Sequence, residues 1–147
     1  MSAAESIIRT LDLAPLDVCG GFFRETWRDE HATVIYWLLP KDHFAPLHKA
    51  AHPEFLAFHS GDPVRVVLLH PHGRLEEHVL GPDLAEGQRP HLVIPAGVWQ
   101  AAHPQGDFAL MSMTVAPPFT PDIVTAADPE ELSDRYPDLA ERIRALC

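Results

Sequence analysis

Between His43 and His59 the chain sets four histidines, His43, His48, His52 and His59, around the acidic Glu54. Imidazole and carboxylate are the side chains that most readily move protons near neutral pH, so acid–base chemistry could sit here. If Glu54 lies on a strand, alternation puts Leu56 and Phe58 on its face and turns Ala57 and His59 away. A carboxyl walled by such apolar groups loses water, which favours its neutral form. A protonated His48 beside it would pull the other way, and such a pair can exchange a proton near neutrality. Val98 and Gln100 share a face of another strand, where Gln100 can offer a ligand both a donor and an acceptor. Arg24 could clamp a substrate carboxylate or stand as an ordinary surface arginine. Trp37 and Trp99 could stack on a ligand, although aromatic side chains more commonly fill a barrel interior. Glu54 could also be a purely structural hydrogen-bonding group for His48 or Arg24. Cys19 precedes Gly20-Gly21, but no base can be assigned to it, and a buried or idle thiol is the expectation.

The chain that must position these groups has 147 residues, a length that fits one domain spanning residues 1–147 with its own core. Its formal charge is -10 with only 11 Lys and Arg, and no basic stripe, which argues against a nucleic-acid partner. Two cysteines without a CxxC spacing suggest neither a disulfide framework nor a zinc knuckle. Met1 to Thr10 lacks the basic and apolar segments of a signal peptide, and no stretch approaches the ~20 apolar residues of a membrane span. A cytoplasmic protein without a membrane partner is expected.

Ser2 to Leu11 reads as a short helix capped by Ser2, with Ile7, Ile8 and Leu11 on one face. From Gly21 the period changes to two: Phe22, Arg24 and Thr26 alternate with Phe23, Glu25 and Trp27. Ala32–Leu39 is a second strand, buried on both sides. Pro40–Pro53 reads as a loop. Further strands are expected at Glu54–His59, Val64–His70, Leu75–Leu80, His91–Ile94, Val98–Ala102 and Phe108–Val115, with turn signals between them. Asp128 can cap a helix that has Pro129 first and Glu131 third, and Asp138–Leu146 can continue it. Strands in the middle and helices only at the ends predict an antiparallel sandwich or barrel.

Several blocks along the chain together resemble one family. Gly20-Gly21-Phe22-Phe23-Arg24-Glu25-Thr26 is similar to the opening of the small cupin family (cupin family 5 type) formerly labelled a domain of unknown function. Ile35–Leu39, His48, Glu54, Phe58–Pro63, Leu80–Leu84, Ile94–Gln100 and Thr114–Pro117 follow at that family's spacing. The chain departs from it at Pro53, at Leu56-Ala57 and at Pro118. The resemblance implies an all-β fold, the cupin double-stranded β-helix or jelly-roll barrel with short N- and C-terminal helices. It also implies a homodimer and a small-molecule ligand inside one end of the barrel.

Many cupins hold a divalent metal through His-x-His and Glu on a first motif and His on a second. Here His48 and Glu54 occupy ligand positions, while Ala50 and Gln100 stand where the other histidines would be. If a metal is bound, its ligands would be His48, Glu54 and Gln100, a set with one weak donor and one gap. No cofactor is therefore required by this reading, and a divalent ion is kept as an alternative. The leading expectation is an isomerase, epimerase or lyase acting on a small polar metabolite that carries a carbonyl or carboxylate. Glu54 is its acid/base and His48 its partner; Gln100, Arg24, Phe58, Trp99 and Trp37 contact the ligand. A non-catalytic binding or sensing protein, and a divalent-metal-dependent enzyme, are the alternatives.

Overall fold

The computed structural model describes residues 1–147. Ser2 opens the first helix, α1 (Ala3–Leu11), through a capping box: its hydroxyl accepts from the Glu5 amide, and the Glu5 carboxylate returns to the Ser2 amide. No residue of α1 is buried, in keeping with its single short apolar face.

The strands that follow are β1 (Ala14–Pro15), β2 (Phe22–Arg28), β3 (Thr33–Pro40), β4 (Ala45–Ala50), β5 (Glu54–Gly61) and β6 (Val64–Leu69). Then come β7 (Leu75–Leu80), β8 (His91–Ile94), β9 (Trp99–Pro104), β10 (Phe108–Val115) and β11 (Val124–Ala126). They form two antiparallel sheets, in the orders β1-β2-β3-β10-β5-β8 and β11-β4-β9-β6-β7. From β3 to β11 successive strands alternate between the sheets except at the β6–β7 hairpin, which is the jelly-roll pattern that the family resemblance implied. No helix is long and apolar enough to cross a membrane.

The loop expected over Pro40–Pro53 is a misreading, because it contains β4. Ala45, Pro46, Lys49 and Ala50 have little strand propensity of their own. The segment is extended because β9 and β11 pair with its two edges.

Register decides which side chains face inward. In the first sheet Glu54 lies between Val115 and Ile94, Leu56 between Met113 and Leu92, and Val115 and Met113 face Thr33 and Ile35 on β3. Glu25 and Phe23 on β2 pair with Ile35 and Trp37, so they share this inner face. In the second sheet Gln100 lies between His48 and Leu68. The inner faces meet in a core that includes Trp37, Leu39, Leu56, Val66, Leu68, Ile94, Met111 and Met113.

The outer face of the second sheet is covered separately. Asp128 caps α2 (Pro129–Arg135) by accepting from the Glu130 and Glu131 amides. Leu132, together with Ile143 and Leu146 of α3 (Ala140–Leu146), packs on Leu47, Val67, Leu69 and Ala101.

Gly21 immediately precedes β2 with φ +73, and an added Cβ there would run into the Leu38 carbonyl and a Leu39 methyl group. A left-handed residue with a side chain costs about 1–2 kcal/mol before any clash. Gly21→Ala is therefore expected to lower the urea-unfolding free energy by at least about 2 kcal/mol. An unchanged urea midpoint would contradict this backbone assignment.

Candidate functional site

Glu54 is the first residue of a central strand, held between β10 and β8, and only 4% of it is exposed. Its Oε1 accepts a 2.6 Å hydrogen bond from Nε2 of Gln100, which is also buried. This bond crosses from one sheet to the other. Burial pushes the Glu54 carboxyl up to about 7, with the Gln100 bond pulling the other way. At neutral pH the group is thus divided between its two protonation states.

The side chain opens onto a recess lined by Leu16, Cys19, Phe23, Glu25, Ile35 and Phe119, with Thr33, Met113 and Val115 completing the wall. The recess has a volume of about 40 Å³, room for a few waters at about 10–15 Å³ each. Leu16, Cys19, Phe23 and Phe119 also line an outer hollow of about 380 Å³. These four residues form the partition between outside and inside.

Glu25 was not singled out by its residue pattern, yet it lines the recess. Arg28 grips both of its carboxylate oxygens, at 2.7 and 2.9 Å, and also donates to the Phe119 carbonyl at 2.9 Å. The Phe119 amide in turn donates to the Thr33 hydroxyl at 3.0 Å. The mouth of the recess is therefore tied to the N-terminal end of β3.

Cys19 is a buried free thiol, pushed up to about 12 by burial and then by the nearby Glu54 charge. At pH 8 only about one molecule in 10,000 would carry the thiolate, the form that reacts. Cys19 is expected to resist iodoacetamide at pH 8 in the folded protein and to label readily in urea, as read by peptide mass spectrometry. Fast labelling of the folded protein at Cys19 would contradict the burial.

The other residues expected at the site are placed differently. His48 does not bond to Glu54; its Nδ1 pairs with the Pro46 carbonyl at 2.7 Å, and its buried Nε2 has no partner. The two lie on different sheets, with Gln100 as the neighbour that His48 faces across β4 and β9. Burial lowers the His48 pKa, so a charged imidazole is disfavoured there. Gln100 serves the carboxyl of Glu54 and is not part of the recess wall.

Arg24 points away from the barrel interior and pairs with Asp12 at 2.8 Å on the exposed surface, because alternation on β2 turns it opposite to Phe23 and Glu25. Trp37 is buried in the core, and its indole donates to the Gly20 carbonyl at 2.9 Å. Trp99 sits on the outer face of its sheet under the Lys49 ammonium. Phe58 packs on the core beyond the recess. None of these four reaches the recess wall.

A resident divalent metal needs more donors than this site presents. His48 offers an unpartnered imidazole nitrogen, which is one suitable donor. Glu54 already receives the Gln100 amide, Ala50 supplies no donor, and no group of three His, Cys, Asp or Glu side chains is arranged to hold an ion. Protein metal sites typically supply at least three ligands, so these residues do not fit a resident divalent ion.

Residues 5–127 match the family model described as Cupin superfamily (DUF985). An X-ray structure of a protein from Shewanella oneidensis superposes with a TM-score of 0.91 at 30% identity, over 99% of this chain and 98% of that one. A hypothetical protein from Leishmania major superposes with a TM-score of 0.92 at 21% identity, over 99% of both chains. Oxalate decarboxylase from Bacillus subtilis shares the fold at a TM-score of 0.65 and 14% identity, over 93% of this chain and 37% of its own. That decarboxylase is described with Mn(II) centres. No curated protein matches the chain in sequence.

Proposed function

This chain belongs to the Cupin superfamily (DUF985) family, and on that premise we propose that it is an enzyme that moves a proton on a small polar molecule inside the barrel. The reaction class is isomerase, epimerase or lyase. One observation carries the reading: a carboxyl 4% exposed, lining a mostly apolar recess and pushed up to about 7. A carboxyl poised near the working pH is efficient both at taking a proton and at returning it.

In its ionised form Glu54 takes a proton from carbon beside a carbonyl, and the C–H electron pair moves toward the carbonyl oxygen. In its neutral form it returns the proton to another atom, or to a departing group. Gln100 is a positioning residue, because its amide fixes the carboxyl and has both a donor and an acceptor to follow the change of state. His48 contributes as an uncharged neighbour behind Gln100, leaving the Glu54 pKa high. We also read the enzyme as cytoplasmic, on its two free thiols, and as a homodimer, on the family resemblance.

The test is solvent exchange. Small carbonyl and hydroxycarbonyl compounds are incubated with the protein in D2O, and loss of the C–H signal adjacent to the carbonyl is followed by proton NMR. The parent protein is expected to exchange at least one of them, and Glu54→Gln is not. Ligands that bind without exchange in the parent protein would identify a binding or sensing protein instead.

A further inference from the structure

The reaction chamber carries no cationic side chain. Its wall contains Glu54 and Glu25, the Thr33 hydroxyl, the Cys19 thiol and otherwise apolar groups, with no Lys, Arg or His among them. Arg24, the one cation that the sequence pattern offered to an anionic substrate, is on the outside with Asp12. Arg28 is not part of the wall, and its Nε and Nη2 are directed to the Glu25 oxygens and the Phe119 carbonyl. A carboxylate entering this recess would lose its water and find no compensating charge, which strongly disfavours it. A hydrogen-bond donor or a cation would instead meet the Glu54 carboxyl at the inner end and the Glu25 carboxylate at the exposed mouth.

We propose that the recess selects a small molecule whose reacting end is uncharged or cationic and rich in hydrogen-bond donors, with Glu25 as its second anchor, and that it rejects carboxylate anions. The inference rests on the reading of this recess as the place where Glu54 acts, and it narrows the substrate class of that site. Glu25 suits the anchoring role because its fork to Arg28 fixes the carboxylate before any ligand arrives, so little is lost in ordering it. A carboxylate has more lone pairs than the two bonds from Arg28 use. Arg28 is a positioning residue in this scheme, since its contacts are to Glu25 and the Phe119 carbonyl. Ile35, Met113 and Phe119 would hold the apolar part of the ligand. The narrow volume next to Glu54 admits only a few non-hydrogen atoms, and the remainder of a longer molecule would extend past Leu16 and Phe119 into the outer hollow.

Three isosteres that differ in charge test this directly: acetate, acetamide and acetamidinium. Each is titrated at neutral pH into protein labelled with 13C at methyl groups, and the Ile35 and Met113 methyl resonances report on the recess. Acetamide and acetamidinium are expected to shift both resonances, with acetate at least about tenfold weaker than either, as the loss of one charge-assisted bond implies. Glu25→Gln is expected to weaken acetamidinium by about tenfold while changing acetamide much less. Acetate binding as tightly as acetamide would overturn the proposal, and so would a set in which none of the three moves these methyls. The comparison among isosteres uses the parent protein, so it stands even if the Glu25 variant folds poorly. Selective binding without Glu54-dependent exchange would sink the chemistry and leave the selectivity. Exchange combined with a preference for acetate would do the reverse.

Discussion

At pH 8 the Glu54→Gln variant is expected to be more stable than the parent protein by about 3 kcal/mol, although it removes a charged group from the centre of the site. Folding raises the Glu54 carboxyl from its ordinary value of 4.5 to about 7. Between those values the folded chain holds a proton that the unfolded chain has released, so stability from this group falls as pH rises. It is fully present below pH 4.5 and lost once pH passes about 7. At about 1.4 kcal/mol per pH unit the loss amounts to about 3 kcal/mol. Glutamine has the same shape, never ionises and keeps an oxygen for the Gln100 amide. The variant should therefore lack this slope and draw level with the parent near pH 4. His48 tilts the curve the other way: its pKa is lowered on folding, so its contribution is present above its ordinary value of 6.5 and lost as pH falls. Both proteins carry His48, so the difference between their urea-unfolding curves at each pH isolates Glu54. A variant less stable than the parent at pH 8 would mean that the carboxylate is a structural anion.

The same substitution is expected to lower turnover by about 10²–10⁴-fold for any compound that the parent protein exchanges, the range that a positioned general acid/base supplies. Binding should be nearly retained, because the amide fills the same space and the recess wall is otherwise unchanged. The loss should thus appear in kcat and leave KM little altered, as for a group that acts in the transition state. The parent's kcat should depend on pH with an inflection near the Glu54 titration. Gln100→Leu should move that inflection upward, since the amide bond holds the carboxyl below the value that burial alone would give. A purely structural role for Gln100 would lower stability and leave the inflection where it was. A variant Glu54→Gln with the turnover of the parent would remove Glu54 from the chemistry.

Much of the architecture could be read from local pattern. Ser2, and Asp128 with Pro129 and Glu131, announced helix starts because capping is a contact within one turn. Alternation placed Glu54 with Leu56, and both are buried on the same face. Alternation does not say which face is the inside, however. On β2 it separated Arg24 from Glu25 correctly, but the arginine drew attention as an anion clamp, while register with Ile35 put the half-exposed Glu25 at the mouth of the recess. β4 was illegible for a different reason: its strand character comes from its partners on β9 and β11, which are distant in sequence. The contact between Glu54 and Gln100 spans 46 residues and two sheets, and nothing local distinguishes it from the expected pair with His48. Cys19 reaches the recess through the segment before β2, whose path depends on the close approach of Gly20 and Gly21 to neighbouring backbone.

The most direct measurement is the titration of one carboxyl carbon. Protein labelled with 13C at glutamate side chains is followed by NMR from pH 3 to 9, with Glu54→Gln identifying the resonance by its absence. The account predicts a single carboxyl whose midpoint lies near 7, well above those of the exposed glutamates. A Glu54 midpoint at the ordinary value near 4.5 would show a solvated anion, and the proton-transfer role assigned to it would be contradicted.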